Sequence, residues 1–287
     1  MIVETRDNQV VRLRPRPNAD VNEYFMCDHG RLNYRWMNRA DRLDSPMVRQ
    51  NGVLATADWE VALRAAATLL TGKRAFVLAS PNLSNEALFL LGTLVTKTGG
   101  AGAFRVNHGQ EAPLPGVDDL ALRPDRAANV RGAELAGFSR SDAPLASMQA
   151  GNVLIVADEE LDGVDASDAA KAGAVIVIGT TLPAWARHGA SVVLPIANCI
   201  EEDGTFTNLR GRVQRFLQAK AAPGLARPSF FAIGDLLAAM GEGRGYWTAS
   251  EAFDALAASH AEFAGMSYDG LALKGRLTTG AMTEAAT

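Results

Sequence analysis

The stretch "NVLIVADEELDGVDASDAAKAGAVIVIGTTLPAWARHGASVVLP", residues 152–195, decides the fold. It contains three runs, "NVLIVA" (152–157), "AVIVIG" (174–179) and "SVVLP" (191–195), that are apolar at nearly every position. A strand with one face in water alternates apolar and polar residues. An unbroken apolar strand is covered on both faces. Between the runs, the sequence predicts a short helix near Ala166–Ala172 and a second over 181–189, with Pro183 in its first turn. Buried strands separated by helices imply an α/β fold, a mostly parallel sheet with helices on both faces.

The pattern extends towards the N-terminus. "AFVLAS" (75–80) is another buried strand, and "SNEALFLLGTLVTKTG" (84–99) is a helix with Ser84 as its cap. "ADWEVALRAAATLL" (57–70) is a helix that Asp58 can cap. Residues 100–150 are rich in Gly, Pro and Asp and read as a long structured loop region. "MIVETRDNQVVRLRPRP" reads as two strands around a turn at Asp7-Asn8, within a small, arginine-rich, β-rich segment. The chain therefore opens inside a hairpin, and Met1 is expected either to be the true start or to follow a missing upstream portion.

Towards the C-terminus, "EEDGTFTNLRGRVQRF" (201–216) breaks the alternation. Gly204 and Gly211 are expected in turns between short β pieces, with Arg212 and Arg215 paired to acids or backbone carbonyls. "SFFAIGDLLAAM" (229–240) and 249–264 read as helices, and the final Gly/Thr/Ala-rich stretch as a tail. This divides the chain into 1–52, a body over 53–240 and a C-terminal helix and tail over 241–287.

Composition sets limits on function. The 287 residues carry a net charge of −4, which gives no footprint for general nucleic-acid binding. No apolar run reaches the roughly 18 residues that would span a bilayer. Two cysteines cannot build a disulfide framework, so a reducing cytoplasm is expected. Cys27 sits in "CDHGR", which suggests metal chemistry, yet one thiolate cannot hold an iron–sulfur cube and Cys199 is far away. His29, His108 and His188 form no pair at metal-site spacing. The glycines of "KTGGAGAF" (97–104) follow a helix and precede a strand, and read as a helix stop and turn, whereas a dinucleotide fingerprint follows a strand and opens a helix. "IGTTLP" (178–183) has the better context for phosphate, at a strand end, although without glycine repeats ordinary capping by Thr180 or Thr181 is the favoured reading. No catalytic set is visible.

Two blocks carry a family resemblance. "RLRPRPNADVNEYFMCDHGRLNYRWMNRADRLDSPMVRQNG" (12–52) resembles the segment closing the iron–sulfur region of molybdopterin oxidoreductases. "VVLPIANCIEEDGTFTNLRGRVQRF" (192–216), followed by "APGLARPSF", resembles a later block of the same family, and the likeness is greatest to the large G subunit of NADH-quinone oxidoreductase (complex I). The resemblance implies a Rossmann-like body, with 1–52 as a remnant of the cluster region. It makes Cys27 the fourth ligand of a [4Fe–4S] cluster if upstream cysteines are supplied. It places Asn107 where molybdenum-binding relatives carry their metal ligand, so no molybdopterin is expected, nor is a final pterin-covering domain. It implies a scaffold in the peripheral electron-transfer arm, cytoplasmic and held at the inner membrane through the complex. The expected partners are the other complex I subunits and iron–sulfur modules. The alternative is a portion of a molybdopterin-dependent oxidoreductase such as a formate dehydrogenase.

Overall fold

In the computed structural model, which describes residues 1–108, 125–160 and 166–281, the N-terminal hairpin stands as its own sheet. Strands β1 (Ile2–Arg6) and β2 (Gln9–Arg14) pair antiparallel. Asp7 and Asn8 both take positive φ, as expected of a two-residue turn matching the strand twist. A one-turn helix α1 (Asp28–Leu32) and a 3-10 turn at Arg35–Asn38 follow. Val10, Leu13 and Met37 bury themselves with Ile200, fixing this segment to the body.

A second hairpin, β3 (Met47–Gln50) and β4 (Val53–Thr56), turns at Asn51-Gly52 and joins the main sheet. Then come α2 (Trp59–Leu70), β5 (Ala75–Ala79), α3 (Asn85–Lys97), β6 (Ala101–Phe104), α4 (Val130–Leu135), β7 (Ser139–Arg140) and β8 (Val153–Ala157). The series continues with α5 (Ala166–Ala169), β9 (Ala174–Gly179), α6 (Ala186–Gly189) and β10 (Val192–Pro195). The eight-stranded order is β4-β3-β10-β9-β8-β5-β6-β7. The six strands from β10 to β7 are parallel, and β3 and β4 close one edge antiparallel.

Alternate residues of the buried strands feed two cores, as the two-residue period of a strand requires. Val77, Ile155 and Ile176 face one core. Phe76, Leu154, Val156 and Val177 face the other. The first core is covered by α2, α3, α7 (Ser229–Ala239) and α8 (Ala249–Ser259), which contribute Ala66, Leu91, Ile233 and Phe253. The second is covered by shorter pieces carrying Leu145, Met148 and Ala186. No helix among the described residues is long and apolar enough to cross a membrane.

Some details depart from expectation. The region read as loop over 100–150 contains β6, α4 and β7, and residues 109–124 lie outside the described residues. Part of the glycine run is itself β6, where a side chain on Gly102 would meet Phe138 at 2.6 Å. The helix expected over 181–189 is a single turn, too short to repay helix nucleation by itself. Gly204 is not in a turn. It opens β11 (Gly204–Thr207), which pairs with β12 (Arg212–Phe216), and the turn glycine is Gly211, at φ +80°. Residues 276–277, expected within a tail, form β13 (Arg276–Leu277) against β12.

Candidate functional site

The connections determine where a site can form. From β5 the chain moves outward through β6 to β7, and β8 then returns to the other side of β5 before the chain continues to β9 and β10. The direction reverses between β5 and β8. A crevice opens beyond the carboxyl ends of parallel strands at such a point. Here it encloses about 470 Å³. Its wall holds Ser80 and Asn82 after β5, Asn107 after β6, Asp158–Glu160 after β8, Thr180 and Thr181 after β9, and Cys199 after β10. Met37 and Arg39 reach it from the N-terminal segment.

Several of the polar groups at this end are engaged by the protein itself. Asp158 directly follows β8 with φ +54°. Its Oδ1 accepts from the Thr180 N–H at 2.9 Å and the Thr180 hydroxyl at 2.7 Å. Glu159 pairs with Arg105 at 2.8 Å, and Glu160 with Arg39 at 2.7 Å. Beneath the crevice, Arg42 binds Glu201 in a two-pronged pair of 2.8 and 2.6 Å. The same guanidinium donates to the carbonyls of Thr180 at 3.1 Å and Ile196 at 3.2 Å. Lys220 stands 3.5 Å from Glu201.

A buried network fixes the 201–207 block to α3. Glu86 accepts from the Thr205 N–H at 2.9 Å and the Thr205 hydroxyl at 2.8 Å. Asn85 donates to Thr205 Oγ1 and accepts from the Thr207 hydroxyl. Asn129 accepts from the Thr207 N–H and donates to the Leu83 carbonyl. Glu202 accepts from both the hydroxyl and the N–H of Ser229, at the start of α7. Burial pushes Glu86 up to about 7 and Glu202 up to about 8, so both favour the protonated form more than ordinary carboxylates do. Burial, with the charges of Glu202 and Asp158 adding to it, pushes the Cys199 thiol up to about 12. A thiol held neutral in this way is a poor nucleophile and a poor metal ligand.

The residues singled out from sequence fall in different places. Cys27 is half-buried and caps α1, its Sγ accepting from the Gly30 N–H at 3.4 Å. His29 and His188 are exposed, and His108 lies 3.4 Å from Asp125. Among the described residues, no group of three His, Cys, Asp or Glu side chains stands together as a metal site. Asn107 and Thr180 do meet in the crevice. Arg212 donates to the Gly275 carbonyl, and Arg215 pairs with Asp269 and lies over the Tyr268 ring, as expected of a structural block. Asp158, Arg42 and Glu86 were missed. For Asp158 there was a signal, because "ADEE" directly follows a buried parallel strand, where crevice residues lie.

Residues 124–239 match the molybdopterin oxidoreductase family. The G subunit of the NADH-quinone oxidoreductase of Rickettsia bellii is 34% identical over 100 residues, covering 34% of this chain and 14% of that protein. The G subunit of the Escherichia coli strain K12 enzyme is 36% identical over 91 residues, covering 31% and 10%. The F420-dependent formate dehydrogenase 2 subunit alpha of Methanococcus maripaludis is 44% identical over 88 residues, covering 30% and 13%. Each alignment thus takes in a small part of the relative's length. The family resemblance read from the sequence, to molybdopterin oxidoreductases and to the G subunit of NADH-quinone oxidoreductase, is shown by these matches. Acetylene hydratase from Pelobacter acetylenicus superposes with a TM-score of 0.33 at 16% identity, covering 47% of this chain and 20% of that one.

Proposed function

We propose that this chain is a component of a respiratory NADH-quinone oxidoreductase that resembles its G subunit, a scaffold in the peripheral electron-transfer arm with no active site of its own. The overall reaction of such a complex is electron transfer from NADH to quinone. The observation that carries this reading is the state of the strand-end crevice. The Thr180 donors are held by Asp158, and Arg39 and Arg105 are paired with Glu160 and Glu159. A site for a phosphate-bearing pterin leaves such donors to the ligand. Asn107, which by the resemblance replaces the metal ligand, offers only a neutral amide. The described residues do not suit a molybdopterin, and none is proposed on this chain. A [4Fe–4S] cluster at Cys27 is proposed only where cysteines from outside this chain join it.

The proposed partners are the other subunits of the complex and its iron–sulfur modules, with no nucleic acid and no insertion into the bilayer. The proposed location is cytoplasmic, at the inner membrane through the complex. Exposed Tyr24, Phe25, Leu32 and Trp36 give the N-terminal segment apolar surface for such a partner. The formate dehydrogenase reading is favoured by the 44% identity to the Methanococcus maripaludis protein. Affinity purification of the tagged chain from its native host, with metal analysis, separates the two. Co-purifying NADH-quinone oxidoreductase subunits without stoichiometric molybdenum support the scaffold. Stoichiometric molybdenum with pterin, and no such subunits, would sink it.

A further inference from the structure

We infer that Asp158 is the built-in occupant of the crevice's anion position: its carboxylate fills the place at the end of β9 that a ligand phosphate would take, and removing it opens that place to phosphate groups. The inference deepens the cofactor part of the scaffold reading, but it stands on geometry of its own. The Asp158 N–H remains bonded to the Ile178 carbonyl at 2.8 Å, so the backbone leaves β8 in register. The left-handed φ of +54° then turns the chain sharply, a conformation that Asp tolerates better than most residues. The side chain reaches across to the neighbouring strand, where one oxygen accepts from both the N–H and the hydroxyl of Thr180.

An N–H and a hydroxyl converging at the carboxyl end of a parallel strand, beside the reversal in strand order, are donors of the kind that bind a phosphate oxygen. The orientation of Thr180 is fixed from its other side. Its carbonyl accepts from the Leu43 N–H at 2.9 Å and from Arg42 at 3.1 Å. The donors are therefore pre-aimed, and the anion they face belongs to the chain. An incoming phosphate meets a carboxylate at hydrogen-bonding distance from the donors it needs, and like charges at that range repel.

The test uses inorganic pyrophosphate as probe, titrated calorimetrically into the wild-type chain, D158G and D158N, with circular dichroism confirming the fold. Glycine accepts the positive φ, so D158G removes the carboxylate without straining the turn. D158G is expected to bind pyrophosphate at least about tenfold more tightly than wild type. The double variant D158G/T180V, lacking the hydroxyl donor, is expected to lose most of that gain. Equal affinity of wild type and D158G overturns the inference, as does a gain that survives T180V. If D158G does not fold, D158N is decisive: it keeps an acceptor for Thr180 but removes the charge, and a severalfold gain is expected. No gain in D158N then overturns the inference. Pterin or molybdenum in the purified wild-type chain would overturn the scaffold reading instead, and the titration would still decide the role of Asp158.

Discussion

Replacing Arg42 by methionine tests whether the N-terminal segment is held to the body by a buried charge. Arg42 has 6% of its side-chain surface exposed and Glu201 has none. The guanidinium makes four hydrogen bonds, two to Glu201 and two to the carbonyls of Thr180 and Ile196. Removing one member of a buried ion pair costs about 3–5 kcal/mol, chiefly because the other charge is left without a partner. Lys220 remains 3.5 Å from Glu201, and the Asn198 N–H still donates to it at 3.1 Å, so the lower end applies. The Thr180 carbonyl likewise keeps the Leu43 N–H. A loss of about 3 kcal/mol is expected for R42M.

For a chain of 287 residues, an unfolding entropy of about 2.1 cal/mol/K per residue amounts to about 0.6 kcal/mol/K, and the melting temperature should fall by about 5 °C. Urea unfolding followed by circular dichroism reads the same loss as a shift in midpoint at constant slope. R42K should recover little, because an ammonium cannot reproduce a planar fork that serves three acceptor groups. An R42M loss below about 1 kcal/mol, the range of a solvated surface pair, would refute the reasoning.

Four further outcomes are expected. Gly204→Val should lower stability by about 2–3 kcal/mol through overpacking, because a Cβ there would stand 2.7 Å from Phe216 and 3.1 Å from Ser84; an unchanged melting temperature would contradict that placement. Glu86 and Glu202 titrate near 7 and 8 in the fold against a usual 4.5, so the folded chain holds more protons than the unfolded one between those limits. Stability should therefore fall as pH rises through this window, and E86Q should flatten the fall between pH 5 and 7 in urea titrations. The chain purified alone should carry no stoichiometric [4Fe–4S] cluster after anaerobic reconstitution, and about four irons per chain, lost on C27S, would show otherwise. Charge reversal at Arg12 and Arg14 should weaken co-purification with NADH-quinone oxidoreductase subunits without unfolding the body; intact assembly with a confirmed fold would remove that docking surface.

The strands legible in the sequence were those with a continuous apolar run. β5, β8, β9 and β10 lie within a residue or two of their expected bounds because burial on both faces leaves no polar alternation to confuse the reading. The position of β6, expected only after the glycine run, and the whole of β7 were not legible. The first is "AGAF", two of whose residues contribute almost no side chain, and the second has only two residues. Gly204 was misread because a glycine beside Asp203 suggests a turn, whereas here its missing side chain makes room for Phe216. The crevice could be located in outline from strand order, but its chemistry could not. Its supporting pairs join residues 119 positions apart at Glu86–Thr205 and 159 apart at Arg42–Glu201. No local periodicity encodes such a pairing.

That distance between partners also bears on what the resemblance means. The start of α3 and the 201–207 block lie far apart in sequence, and in the fold they interlock: Asn85 and Glu86 bind Thr205, and Asn85 and Asn129 bind Thr207. Each of these groups is buried, so replacing one leaves its partner unsatisfied at a cost of about 1–3 kcal/mol. Such a set resists change whatever ligand the fold holds. A match over these residues therefore tests the architecture, and an activity must be argued from other positions. This is consistent with similarity of one chain both to a component of NADH-quinone oxidoreductase and to a component of a formate dehydrogenase. The positions able to discriminate between those readings are the ones facing the crevice, Asn107, Asp158 and Thr180, because there a change of side chain alters what can bind while the buried network beneath stays satisfied.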